Sequence, residues 1–100
     1  MDSYKVVIYP TAKQDLLDVV GYLNTLSPEA ALRCYDELTE QIAGLGQRPP
    51  RCPAPRDPAL AARGCRCLYV KNYVVFFVVT GQTVQLRRIL YARRDYAALL

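Results

Sequence analysis

Arg87, Arg88, Arg93 and Arg94 share the ten-residue stretch 87–96 with Tyr91 and Tyr96, directly after a strand-like run. Each guanidinium is a planar fork of donors that matches phosphate or carboxylate oxygens and stacks on rings. Each tyrosine adds a flat face and a hydroxyl. This chemistry addresses something anionic, either a nucleic acid or an acidic protein. It is poorly suited to proton transfer, because the chain has no histidine, the commonest general base. Arginine stays protonated in proteins and cannot fill that role. Tyr91 or Tyr96 would need a strongly lowered pKa to do so.

Four cysteines, Cys34, Cys52, Cys65 and Cys67, form the other chemically distinctive set. Cys65 and Cys67 stand two apart on a strand-like segment and so share a face, while Cys52 falls in a loop. Three thiols can ligate zinc, but there is no paired CxxC spacing and no histidine to complete a site. A disulfide framework normally accompanies secretion. The expectation is reduced thiols filling small apolar gaps, with no metal and no cofactor.

The charge is unevenly placed. Residues 1–47 hold three basic groups, Lys5, Lys13 and Arg33, against seven acidic ones, a balance of −4. Residues 48–100 hold ten basic groups, nine of them arginine, against Asp57 and Asp95, a balance of +8. One basic functional face supplied by the second half is the sharper reading; a solvated arginine-rich surface is the plainer one. The apolar fraction of 52% with 22% charged residues fits one globular domain, residues 1–100. No apolar run approaches the roughly 20 residues of a bilayer span, and the opening residues lack a secretion-signal pattern. The expected location is the cytoplasm, with no membrane partner.

These side chains are positioned by a short series of elements. Residues 3–9 are β-branched and aromatic and predict a strand stopped by Pro10. Thr11 and Gln14 have capping-box spacing. Ala12, Leu16, Val19, Val20 and Leu23 then make one helical stripe, ending near 24–26. Ser27-Pro28-Glu29 starts a second helix, with Ala31, Cys34, Tyr35, Leu38, Ile42 and Leu45 as its apolar stripe. The short link predicts an antiparallel hairpin. Residues 46–58 carry five of the seven prolines together with Arg48, Arg51 and Arg56, and read as a stiff loop. A short helical turn follows over 59–62, ended by Gly64.

Residues 65–91 predict a three-stranded meander. Its first turn is Lys71-Asn72, with Asn72 expected in the left-handed region, and its second is Thr80-Gly81-Gln82-Thr83. Val74–Val79 is apolar on both faces, as a central strand requires. In the last strand, simple alternation puts Arg88 on the inward face with Val84, Leu86 and Leu90. Either a bulge shifts the register there, or the arginine lies over the sheet. It is equally placed to pair with an acid of the first helix, such as Asp15. The fold expected is α+β in the order β-α-α-β-β-β, a helical hairpin on one face of a small antiparallel sheet. The other sheet face is left for function.

Pro10-Thr11-Ala12 with Asp15-Leu16, then Tyr22-Leu23 and Ser27-Pro28-Glu29-Ala30-Ala31, resemble the helical hairpin of the RelE/ParE superfamily of bacterial toxins. Arg66-Cys67-Leu68-Tyr69-Val70, Asn72-Tyr73-Val74-Val75-Phe76-Phe77 and Arg88-Ile89-Leu90-Tyr91 with Arg93-Arg94-Asp95 resemble its sheet. The resemblance runs from about residue 4 to 100. It implies the toxin of a type II toxin–antitoxin pair that arrests growth and is neutralised by an acidic antitoxin. RelE-like members cut messenger RNA on the ribosome without metal; ParE-like members poison DNA gyrase.

The RelE-like recipe places lysines before the central strands, an arginine on the central strand and a tyrosine or histidine near the carboxy terminus. Here Val74 and Val75 occupy the central strand, residues 48–70 hold no lysine, and Tyr91 stands where many relatives have histidine. The long hairpin and proline-rich loop look more like the ParE side, so gyrase is the favoured target. The alternatives are a ribosome-dependent RNA endonuclease, with Arg88, Tyr91, Arg93 and Arg94 as its catalytic set, and an inactive binding module. The candidates for target or antitoxin binding are Arg66, Arg87, Arg88, Tyr91, Arg93, Arg94 and Tyr96, with Arg66 also readable as a structural residue whose stem packs beside Leu68 and Val70.

Overall fold

A computed structural model of the chain describes residues 3–47, 54 and 58–92. Strand β1, Lys5–Ile8, runs into helix α1, Pro10–Leu26, through the extended residue Tyr9. Pro10 occupies the first helical turn, where its missing N–H costs nothing. The Thr11–Gln14 capping box does not form, because the helix begins at Pro10, two residues earlier than that spacing requires. The Thr11 hydroxyl instead donates to the carbonyl of Arg87 at 3.2 Å.

Ser27 alone separates α1 from α2, Pro28–Gly44. Its backbone N–H donates to Leu23 and closes α1, while its Oγ accepts from the N–H of Ala30 and opens α2. One residue serving both helix ends forces the sharp reversal of a hairpin. A short helix α3, Pro58–Ala62, precedes the meander and ends at Gly64, whose φ of +80° suits a residue without a side chain.

The meander is β2, Cys65–Val70; β3, Tyr73–Thr80; and β4, Thr83–Tyr91. In the first turn the left-handed residue is Lys71, at φ 53°, rather than Asn72. The Lys71 ammonium reaches Glu37 of α2 at 3.0 Å, which ties the turn to the hairpin. Gly81, at φ 59°, makes the second turn. The sheet order is β1-β4-β3-β2: the meander is antiparallel, and β1 joins it parallel to β4, so the whole sheet is mixed.

The strands place apolar side chains on both faces, and both are buried. Leu16 and Val20 of α1 and Leu38 and Ile42 of α2 pack on Val75, Phe77, Val84, Leu86 and Ile89. On the opposite face Cys65, Cys67, Val74, Phe76 and Leu90 form a second cluster, with Val74 and Phe76 fully buried. That opposite face was expected to be open for function. It is instead a covered apolar layer, as the two-faced apolar run of β3 demands. The candidate site must therefore lie at its margins.

Candidate functional site

One irregularity in β4 decides where the arginines go. Leu86 pairs with Phe77 and Arg88 with Phe76, so Arg87 is an extra residue, a β-bulge. Side chains alternate with period two, so one inserted residue exchanges the faces of everything after it. Val84 and Leu86 face the helices before the bulge, and Ile89 does so after it. Leu90 is thereby moved to the opposite cluster. Of the two sequence-based readings of Arg88, the bulge is the one the structure adopts.

Beyond the bulge, β4 loses its neighbour on one side, since β1 ends at Ile8 opposite Leu86. Helix α1 occupies that edge. The Asp15 carboxylate accepts from Arg88 Nε at 2.7 Å, from Arg88 Nη2 at 3.0 Å and from the Ile89 backbone N–H at 2.9 Å. Thr11 meets the Arg87 carbonyl on the same edge. The side chains of Asp15 and Arg88 are only 12% and 24% exposed, so this two-pronged pair is shielded from solvent and well aligned. Hydrogen bonding to Asp15 raises the Arg88 pKa further, against the opposing effect of burial.

Arg87 takes a different course. Its guanidinium lies 4.6 Å over the Tyr9 ring, and Nη2 donates to Gln85 Oε1 at 2.8 Å. Its Nε is buried without a hydrogen-bond partner. Arg66 is exposed on β2, opposite Phe77, and so shares the helix-side register with Leu68 and Val70. Tyr91 closes β4, 40% exposed, with its ring edge-to-face on Tyr73 at 5.8 Å between centroids. Arg93, Arg94 and Tyr96 lie outside the described residues. The structure thus separates candidates that looked contiguous: Arg87 with Tyr9, Arg88 with Asp15, Tyr91 with Tyr73, and Arg66 two strands away. Sequence pattern alone does not mark Tyr9 or Tyr73 as site residues, because each reads as an ordinary tyrosine until the neighbour it meets in the fold is known.

One phenol and two thiols, by contrast with Arg88, are shifted toward their neutral forms. Burial pushes the Tyr73 phenol up, with smaller contributions from Cys34, Tyr91 and Tyr22. Burial also raises the thiols of Cys34 and Cys67. Cys34, Cys65 and Cys67 carry free thiols, and Cys52 lies outside the described residues. Among the described residues no group of three or more cysteines and carboxylates is placed to hold a metal ion. No described helix is long and apolar enough to cross a membrane.

These raised values fix a pH dependence. The unfolded chain releases its thiol and phenol protons first, so the stability they contribute is complete below the ordinary thiol value of 9.0. It is lost as pH rises through the higher folded values. Urea titrations from pH 7 upward should show a falling free energy of unfolding above about pH 9. Cys67→Ala should flatten the first part of that fall and Tyr73→Phe the part beyond 10; unchanged slopes in both variants would contradict the assignment.

The model of the ParE toxin of the type II toxin–antitoxin system parDE matches residues 6–96. The chain belongs to this ParE toxin family. Among solved structures, the chromosomal ParDE toxin–antitoxin system from P. aeruginosa superposes with a TM-score of 0.78 at 22% identity, covering 93% of this chain and all of the other. The RelBE2 toxin–antitoxin complex from Mycobacterium tuberculosis superposes with a TM-score of 0.60 at 19% identity, covering 91% of this chain and 93% of its counterpart. At these identities the likeness is one of fold. No curated protein matches the chain in sequence. The matched span of the ParE family contains both the Asp15–Arg88 pair and the arginine–tyrosine segment.

Proposed function

We propose that this ParE-family toxin arrests growth by binding DNA gyrase in the cytoplasm, and that an acidic antitoxin neutralises it. Borne on a plasmid, such a pair would stabilise the plasmid. The observation that carries the choice of target is the pairing of Arg88 with Asp15 through two guanidinium nitrogens. Metal-free RNA cleavage needs a base for the 2′-hydroxyl and cations on the phosphate. Arg88 is engaged by a carboxylate, and the Tyr73 phenol is held protonated. The remaining set, Arg87, Tyr91, Arg93, Arg94 and Tyr96, with Arg66 at the far edge, is suited to gripping an acidic surface. The charge of +8 on residues 48–100 supports an acidic partner. The ParDE and RelBE2 neighbours, both toxin–antitoxin systems, support an antitoxin as that partner.

Purified toxin should inhibit gyrase supercoiling and leave translation in a cell extract intact. Charge-assisted contacts are worth about 1.5–3 kcal/mol each, so Arg93→Ala with Arg94→Ala should weaken that inhibition at least about tenfold. Normal supercoiling at saturating toxin, with codon-positioned cuts in translated messages, would transfer the assignment to the ribosome. Harmless overexpression without antitoxin would indicate a binding module alone.

A further inference from the structure

Helix α1 and the ends of β3 and β4 enclose a groove of about 680 Å³. Its wall combines three tyrosines, Tyr22, Tyr73 and Tyr91, with Asp15, Asp18 and Asn72 over an apolar floor. Tyr22 is 63% exposed and Tyr91 40%, an unusual display of large rings around one opening. Both oxygens of Asp15 are engaged by Arg88 and Ile89. Asp18 accepts one bond, from Gln14 Nε2 to Oδ1 at 2.8 Å, and its second oxygen is open. Among the described residues no cationic side chain lines the groove. The raised pKa of Tyr73 keeps its ring neutral, with the ring face electron-rich and the hydroxyl able to accept.

We propose that this groove receives an arginine or lysine side chain from a partner polypeptide. A cation fits it for two independent reasons. Tyrosine faces attract a cation through their quadrupole, and the one carboxylate with an open oxygen stands on the rim. The contact has the opposite polarity to the basic carboxy-terminal cluster. A partner segment acidic where it meets the arginines would carry a basic residue where it crosses α1. Two contacts of opposite sign fix the direction and register of a bound segment in a way that one basic patch does not. The identity of the partner as the antitoxin rests on the functional reading above; the groove's preference for a cation does not.

The test uses the full chain with ¹³C-labelled tyrosine rings, titrated with short acetyl-Ala-Leu-X-Leu-Ala-amide peptides in which X is arginine, citrulline or glutamate. The arginine peptide should move the ring signals of Tyr22, Tyr73 and Tyr91 together and bind about tenfold tighter than its uncharged citrulline counterpart. Asp18→Asn, which keeps an acceptor for Gln14, should remove most of that preference. Tyr22→Leu, at an exposed position, should do the same without touching the core. The proposal is overturned if the arginine peptide leaves the rings unmoved, if citrulline or glutamate binds as well, or if the preference survives both substitutions. Gyrase inhibition by the same toxin is scored separately, so the two readings can fail independently.

Discussion

Asp15→Ala should lower the free energy of unfolding by about 3–5 kcal/mol, the cost of breaking a shielded ion pair by removing one partner. That corresponds to a fall in Tm of about 15 °C or more for a domain of this size. Three donors converge on this one carboxylate: two from Arg88 and the Ile89 N–H. Alanine leaves a part-buried guanidinium without its carboxylate, and leaves a backbone donor on the bulged edge of β4 without an acceptor. Asp15→Asn retains one acceptor oxygen and should cost about half as much. Replacing both partners, as Asp15→Leu with Arg88→Met, should recover much of the single-variant loss, because no uncompensated charge then remains. Urea denaturation of the parent and these three variants checks that order. An Asp15→Ala variant within about 1 kcal/mol of the parent would show that the pair is no better than a surface salt bridge. Because α1 meets β4 here, loss of the pair should also loosen the base of the arginine–tyrosine segment. Inhibition of the target should weaken in Asp15→Ala even where the variant stays folded.

Phe76→Ala should cost about 3–5 kcal/mol. Phe76 sits on the sheet face away from the hairpin, paired with Cys67 on one side and Arg88 on the other. It is fully buried among Cys65, Cys67, Val74 and Leu90. An open functional face would make Phe76 a surface residue whose truncation changes little. Tyr69→Ala is the internal control: Tyr69 is 52% exposed on the same sheet and should lose about 1 kcal/mol or less. Equal and small effects at both positions would restore the open face. Thermal and urea unfolding distinguish these outcomes directly.

Much of the scaffold was legible because it is written in neighbouring residues. Ser27-Pro28 marks a helix start by its own chemistry, and of the stripe expected on that helix Ala31, Leu38, Ile42 and Leu45 are buried and Cys34 half-buried, whereas Tyr35 is exposed. The errors came where a local signal had competitors. Thr11 and Gln14 have the spacing of a capping box, yet Pro10 starts the helix first and Thr11 turns to the Arg87 carbonyl. Asn72 is the more tolerant left-handed residue, yet Lys71 takes that position, beside the ion pair it makes with Glu37. The candidate site was legible as composition and not as geometry. Arginines adjacent in sequence were grouped together, and the structure sends Arg87 to Tyr9 and Arg88 to Asp15.

By itself, the sequence determined the element order, the hairpin, the central position of β3, the basic second half and the lack of histidine, all properties of composition or short-range periodicity. Only the tertiary structure decided that β1 lies parallel to β4, that Arg87 is the extra residue, and that Asp15 holds Arg88 from 73 positions away. A single inserted residue reverses which face each following side chain meets. Periodicity does not register that insertion until the neighbouring strand is in place. The same pairing brings Tyr73 beside Tyr91, and packing α1 against that end of the sheet completes the groove.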